Sequence, residues 1–492
     1  MAAASSTCTT ACACDVCCGV QFTVDQIFGF LEIYGWILDA YVVDFFQEKL
    51  WHRIPKSWRD FFDEITPEEL GKWILKESTS NRVWPLSLLA LQKFVNISEL
   101  SRDHRKPIEI KCSAKSLVAS ENKKDTLDDG KRKAVPGNKR FSNLFSKHVK
   151  KKKRYEIDVM SQITSKCGQE AECKGVVDIG AGMGHLARVL AYKYDMNVIC
   201  VEQNQLLLEG ARKWDEQLLA SLKKHITDFD GRKPQHVSLQ VGVSQSSRRQ
   251  LSDQLTHMFN EKFDDSNEKY GYGIIGLHPC GDLAAALLKM YASEDDVRFI
   301  CTVGCCYMKL TLRDSDEIRF PMSDFLGAKR NYPALSYAAL EVACHAVEKH
   351  CEKLKSKDFG DLKVHAYRAV LEYLLIEKNP SLRHAQLKNT KIGENTTFEE
   401  YCKSATVNLE IRDRPTDLDY KRADIKNFLS KWKRVLIFVS LRMAIAPLAE
   451  SIVLFDRYLY LSELNLSPAL KAVFDPRISP RNILLTSIKR IN

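Results

Sequence analysis

Two carboxylates and a run of glycines, set at fixed spacing around one turn, are the residues of this chain best suited to do chemistry. Asp178 sits near the end of the apolar run Val176-Val177-Asp178-Ile179, and Gly180, Ala181, Gly182 and Gly184 follow it. Glu202 closes the next apolar run, Asn197 to Val201. Glycine has no β-carbon, so such a turn can take positive φ and let backbone pass close to a ligand. Behind it, Leu186, Val189 and Leu190 keep helical spacing. The first N–H groups of that helix, and its positive dipole end, face the same place. A strand, a glycine turn and a helix N-terminus form the nucleotide-binding corner of a doubly wound α/β sheet.

Two details select the nucleotide. The spacing is G-x-G-x-G, whereas a dinucleotide fingerprint wants G-x-G-x-x-G. Asp178 lies below the point where a pyrophosphate would rest, and a carboxylate there repels phosphate while suiting a cationic or neutral ligand. Glu202 is placed to take both hydroxyls of a ribose. The pattern is that of S-adenosylmethionine-dependent methyltransferases. Gly180 to Gly184 are expected to cradle the methionine portion, Asp178 its amino group and Glu202 the ribose. A corner for NAD, or a turn with no ligand, explains fewer of these residues.

The elements that must position this corner follow in order. A long helix is expected after Glu202, then a third strand over His236–Val243, then surface helix and loop over residues 244–270. The third strand leads into Ser244-Gln-Ser-Ser, with no acid to meet an adenine amino group. A fourth strand, Gly273 to Leu277, runs into His278-Pro-Cys-Gly-Asp-Leu283, and a fifth, Phe299 to Val303, into Gly304-Cys-Cys-Tyr307. Ligands lie outside the carboxyl ends of such strands. One rim is therefore expected to carry His278, Cys280, Asp282, Cys305, Cys306 and Tyr307. His278, Asp282 and Tyr307 are the catalytic candidates, and Cys280 is placed beside the cofactor. His278, Cys280, Cys305 and Cys306 also make a possible tetrahedral zinc set. Neighbouring Cys305 and Cys306 should point to opposite sides of a continuing strand, so soft packing is preferred and no metal is expected.

At 492 residues with ordinary apolar and charged fractions, two or three domains are expected. Residues 1–20 read as a disordered tail, 21–100 as an N-terminal helical domain, and 101–138 as a linker. Residues 139–330 read as the catalytic core, 331–465 as a helical insertion, and 466–492 as the closing strands of the core. Trp51, Trp58, Trp73 and Trp84 fall at helical spacing and are expected in a core. The tail cysteines (Cys8, Cys12, Cys14, Cys17 and Cys18) have no histidine and no regular paired spacing, so they are not taken as a metal site. Sixteen cysteines without a basic n-region and apolar h-region at the N-terminus point to thiols in a reducing compartment, cytoplasmic or nuclear. Val435–Leu459 is the most apolar stretch. Arg442, Pro447, Glu450 and Asp456 interrupt it, which favours buried helices over a membrane span.

The net charge of +10 is concentrated: residues 131–154 hold 11 Lys/Arg and no acid, and the remainder balances at 62 basic against 63 acidic. Lys150, Lys151, Lys152, Lys153 and Arg154, with Lys139, Arg140 and Lys147 before them, are expected to meet the phosphates of RNA or a ribosomal component. Phe141 and Phe145 are candidates for base stacking or for burial against the sheet. A nuclear-import signal or plain solvation would use the same run.

VVDIGAGMGHL, GLHPCGDLAAALL, VGCCYMKL, HAYRAVLE and SPRNILL, in this order, resemble the methyltransferase-like protein 25 family. Within it the chain is most similar to the 25B branch, also catalogued as ribosomal RNA adenine dimethylase domain-containing. The resemblance covers most of the chain outside residues 1–20 and 101–138. It implies a Rossmann-like methyltransferase domain; with the elements expected along the chain, the expected fold is a seven-stranded class I methyltransferase sheet with an N-terminal helical region and a helical insertion before the final strands. It does not imply a substrate. Amino-group nucleic-acid methyltransferases hold the target amine with Asn/Asp-Pro-Pro-Tyr/Phe after the fourth strand, using the aromatic to stack on a flipped base. Here that position reads His278-Pro279-Cys280-Gly281, which argues against the catalogued adenine chemistry. The HxCG–GCC pairing is loosely similar to that of transfer RNA ribose methyltransferases. The expected activity is methyl transfer from S-adenosylmethionine to RNA or a ribosome-associated target. A protein acceptor and a catalytically silent scaffold are the alternatives.

Overall fold

The structure is a computed structural model that describes residues 12–77, 82–113, 145, 149–225, 231–242, 244–263, 271–312, 319–329, 331–356, 359–390, 392–393 and 395–489. The chain divides into two compact units. One comprises Met1–Asp25, Ser101–Tyr332 and Ile452–Asn492, the other Gln26–Leu100 and Pro333–Ser451. The segments expected as an N-terminal helical domain and a separate helical insertion thus fall largely into one unit.

The first unit is built on a sheet of eight strands: β1 (Ile110–Lys111), β2 (Gly175–Ile179), β3 (Asn197–Val201), β4 (Gln235–Val237), β5 (Tyr272–Cys280), β6 (Val297–Cys305), β7 (Ala469–Ala472) and β8 (Ile483–Ile488). Their order is β1-β7-β8-β6-β5-β2-β3-β4. Strands β2 to β6 are mutually parallel, and β8 enters antiparallel between β6 and β7. β2 is buried at every position, as a central parallel strand must be. Val176, Val198, Ile275 and Val303 of the sheet share one apolar cluster with Met160, Leu186 and Leu190 of the covering helices.

Several expectations shift. The seven-stranded sheet gains an eighth strand, because Ile110 and Lys111 pair with Leu470 and Ala469 inside the expected linker. The Arg102 guanidinium donates to the Pro480 carbonyl, so that stretch is tied to the closing strands as well. Residues 114–138 of the linker lie outside the described residues, as do 1–11 of the tail. The tail itself ends early: the helix Asp15–Asp39 begins within it, because Cys17, Val20 and Val24 carry the buried spacing upstream. β4 has three residues instead of eight; as an edge strand it has one neighbour, and its pairing stops at Val237 opposite Val201. The helix Gln245–Phe263, expected at the surface, buries Leu251, Leu255, Phe259 and Phe263. β5 and β6 run to Cys280 and Cys305, so the first residues of both chemistry-bearing motifs lie within strands.

The stretch expected to form buried helices is one helix of 32 residues, Trp432–Glu463, with Pro447 inside it. Two of its charged residues are bonded within the protein. Arg442 donates to the carbonyls of Ile37, Leu38 and Ala338, and Asp456 accepts from the Met322 and Ser323 N–H groups and the Ser323 hydroxyl. Among the described residues, Asp15–Asp39 and Trp432–Glu463 are the two helices long and apolar enough to cross a membrane; 89% of the most apolar window of the second is buried in protein, against 39% for the first. In the helical unit the four tryptophans are buried, with Trp73 stacked on Trp84 at 5.3 Å.

Candidate active site

The turn after β2 is held open by backbone alone. Gly180, Gly182 and Gly184 have φ of 75°, 57° and 67°, a left-handed run that side chains with a β-carbon resist. The Gly180 N–H donates to the Val201 carbonyl at 2.8 Å, tying the turn to the end of β3. Glu202 completes the tie: its carboxylate accepts from the Gly182 N–H and the Asn204 N–H, each at 3.0 Å. A β-carbon on Gly182 would meet nothing within 4 Å, so the turn's outer side faces open space. On Gly184 it would lie 2.9 Å from His236 Cε1, so this glycine is required by what lies beneath it.

Beneath is a buried polar network that no sequence motif announces. The Arg188 guanidinium pairs with Asp215 and donates to the Ala211 carbonyl at 3.0 Å, and His236 Nε2 meets the other Asp215 oxygen at 2.6 Å. His185, the first residue of the helix behind the turn, has its pKa driven down to about 4 by burial and then by Arg188, so its imidazole is neutral.

Asp178 is buried at the carboxyl end of β2. Burial, and next in line the negative charge of Glu202, push its pKa up to about 7, and Lys153 works against them. A buried carboxyl beside a second carboxylate is short of positive charge. The pair fits a ligand bearing a cationic amine and vicinal hydroxyls, and does not fit a pyrophosphate.

The second rim is organised differently. His278 has a φ of 67°, and its Nε2 meets Glu156 Oε1 at 2.9 Å. The Ser479 hydroxyl donates to the same oxygen at 2.6 Å. Burial raises the Glu156 pKa, but the hydrogen bonds from His278 and Ser479 outweigh it, so the carboxylate is held below its usual range. His278 Nδ1 is covered and has no hydrogen-bond partner. Asp282 accepts from the Thr311 N–H at 2.8 Å and from the Thr311 hydroxyl. Tyr307 is buried, off the rim, with the guanidinium groups of Arg457 and Arg481 at 5.7 and 5.9 Å from its ring. All three catalytic candidates are therefore braced by the protein itself. Neither Glu156 nor Ser479 stands out in the sequence as a site residue, although Ser479 opens the SPRNILL motif.

Cys280, Cys305 and Cys306 converge, with Cys280 Sγ 3.3 Å and Cys305 Sγ 3.5 Å from Cys306 Sγ. The expectation that the two neighbouring cysteines diverge is corrected. β6 ends at Cys305, and Cys306, at φ 40°, turns its thiol back. Cys280 is exposed, and burial of its sulfur together with the Cys306 contact raises its thiol pKa. Of the four-residue set considered for zinc, three members meet and His278 turns to Glu156 instead.

Lys150 to Arg154 are exposed, and Lys151–Glu170 is a helix with no acidic residue in its first turn. Lys152 lies 3.6 Å from Glu156. Phe145 packs on the core against Tyr192. Lys139, Arg140, Phe141 and Lys147 lie outside the described residues.

Residues 152–313 match the family model for a methyltransferase domain, Methyltransf_32. This segment contains the glycine turn, Glu202 and both cysteine-bearing strand ends. A Mus musculus protein named "Probable methyltransferase-like protein 25" is 21% identical over 92% of this chain and 94% of its own. The Homo sapiens protein of the same name is 28% identical over 44% of this chain and 37% of its own. Among solved structures, the plantazolicin methyltransferase BpumL in complex with SAH matches 72% of this chain and 91% of its own, at 10% identity and a TM-score of 0.22. The α/β sheet and the matched domain fit a class I methyltransferase. Over nearly its whole length the chain is similar to methyltransferase-like protein 25, and residues 152–313 carry a methyltransferase domain.

Proposed function

We propose that this chain is an S-adenosylmethionine-dependent methyltransferase of the 25B branch, acting on RNA or a ribosome-associated target in the cytoplasm or nucleus. The observation that carries the cofactor reading is the pairing of two carboxylates across a backbone-lined turn: Asp178 buried at the end of β2 and Glu202 fixed by Gly182 at the end of β3. Asp178 would take the amino group, the outer side of Gly182 would lie against the methionine chain, and Glu202 would keep lone pairs for the ribose. When bound, the cofactor supplies a methyl group made electrophilic by its sulfonium. The protein's task is then to align an acceptor and exclude water. Braced by Glu156 and Thr311, the strand end carrying His278 and the helix start carrying Asp282 form a stiff wall for that alignment. Calorimetric titration of S-adenosylmethionine into the purified chain tests this reading; absence of binding, or Asp178→Ala behaving as wild type, defeats it.

The acceptor rests on the exposed cations at the start of Lys151–Glu170. They crowd the positive end of a helix dipole, an arrangement that phosphate relieves. The positive charge of Lys153 is felt by both Asp178 and His185, which supports a basic surface on the side of the turn. Replacing Lys150 to Lys153 with alanine should weaken RNA binding and flatten its salt dependence. The log–log slope should drop by up to roughly 0.7 for each single-strand phosphate no longer neutralised. Unchanged RNA affinity at low salt refutes this acceptor and favours a protein one. A silent scaffold is the second reading, and one observation favours it: His278, Asp282 and Tyr307 are all engaged within the protein. Turnover of labelled cofactor on a cell extract separates the two.

A further inference from the structure

Far from the glycine turn, at the opposite edge of the sheet, four cysteines meet. Cys12 and Cys14 precede the helix Asp15–Asp39, Cys17 lies in its first turn, and Cys112 directly follows β1. The Sγ atoms of all four lie within 4.8 Å of one another. Cys112 Sγ is 3.6 Å from both Cys12 Sγ and Cys17 Sγ.

We infer that Cys12, Cys14, Cys17 and Cys112 form a structural zinc site of the tetrathiolate class. A tetrahedron with metal–sulfur bonds of about 2.3 Å has sulfur–sulfur edges of roughly 3.8 Å, close to the separations found here. A disulfide needs about 2.05 Å, so no pair is bonded. An iron–sulfur cube would hold its four thiolates apart by the width of the cluster. Core filling does not explain the group either, because Cys12 and Cys14 are only half-buried.

The surroundings fit a thiolate–metal centre. The backbone N–H groups of Cys17 and Ser113 reach the Cys14 sulfur, and that of Cys14 reaches Cys12. The Tyr458 hydroxyl lies 3.7 Å from Cys17 Sγ. Such outer contacts orient ligands and spread the negative charge of four thiolates. Cys112 is itself held in place, its N–H donating to the Pro468 carbonyl at 3.0 Å. Cys18, on the same helical turn as Cys17, is exposed and outside the group, a control supplied by the sequence.

The site also accounts for β1. A two-residue strand at a sheet edge is too short to hold itself. A metal joining Cys112 to the start of a 25-residue helix would pin it. Binding involves no redox step: four thiols lose protons to solvent as Zn²⁺ enters.

The test is metal analysis of the purified full-length chain. About one zinc per chain is expected in wild type, Cys18→Ser and Cys280→Ser, with loss in Cys112→Ser. Should Cys112→Ser fail to fold, X-ray absorption at the zinc edge of wild type decides, with four sulfur neighbours near 2.3 Å expected. Metal-free protein with freely alkylated thiols, a disulfide found by mass, a shell containing nitrogen or oxygen, or zinc lost with Cys280→Ser but kept in Cys112→Ser would each overturn the assignment. None of these outcomes depends on cofactor binding or turnover.

Discussion

The two halves of the candidate site are built in opposite ways. Around the glycine turn, backbone N–H groups, positive φ and two carboxylates leave a cradle whose outer side meets nothing. Around His278 and Tyr307, every prominent side chain is occupied: by Glu156, by Thr311, or by a pair of arginines. The first half is shaped to receive, the second to stay still. Binding and bracing should therefore fail separately when mutated.

The largest expected effect is at Asp178. Asp178→Ala should weaken S-adenosylmethionine by about 2–5 kcal/mol, the usual cost of truncating one partner of a buried charge pair, with the fold intact by circular dichroism. Gly184→Ala comes next. It forces a β-carbon into a left-handed residue 2.9 Å from His236 Cε1, and about 1–3 kcal/mol of stability should be lost in denaturant unfolding. Glu156→Ala strips His278 and Ser479 of a shared acceptor, so stability should fall by about 1–3 kcal/mol. Cofactor affinity should stay at the wild-type value in calorimetry. A parallel loss of affinity would erase the distinction between the two halves.

The smallest effect is one of pH. The folded Asp178 carboxyl keeps its proton up to about pH 7, while an unfolded aspartate releases it near pH 3.9. Between these values the folded chain binds more protons. The contribution to stability is thus complete below about pH 4 and is lost as pH rises through 7. A cationic ligand prefers the carboxylate, so its affinity should climb over the same window. Thermal unfolding of wild type and Asp178→Asn across this range checks the sign, since the variant should lack this part of the slope.

The receiving half is legible in the sequence because its signals are local. Asp178, the three glycines and Glu202 lie within one β-α-β passage, where spacing maps directly onto geometry. The bracing half is not, because Glu156 meets His278 across 122 positions and Ser479 across 323. No periodicity joins such residues. Glu156 reads as one acid on a basic helix, and Ser479 as one polar residue before a strand. The cysteine group at the far edge shows the same limit. Three of its members look irregular without Cys112, which arrives through the pairing of β1 with β7. β4 misleads for another reason: His236–Val243 alternates like a strand, but among the described residues its pairing ends at Val237.

The placement of β8 bears on how the chain must be made. β6 is complete at Cys305, yet its second neighbour comes only with Ile483–Ile488, after the whole helical segment 333–451 has passed. Until then the open edge of β6 is a row of unpaired N–H and C=O groups, a template for pairing with other chains. Contacts this distant close slowly. A ribosome elongating at roughly 5–20 residues per second would leave that edge uncovered for about ten seconds or more, and chaperone dependence during synthesis should follow from strand order alone.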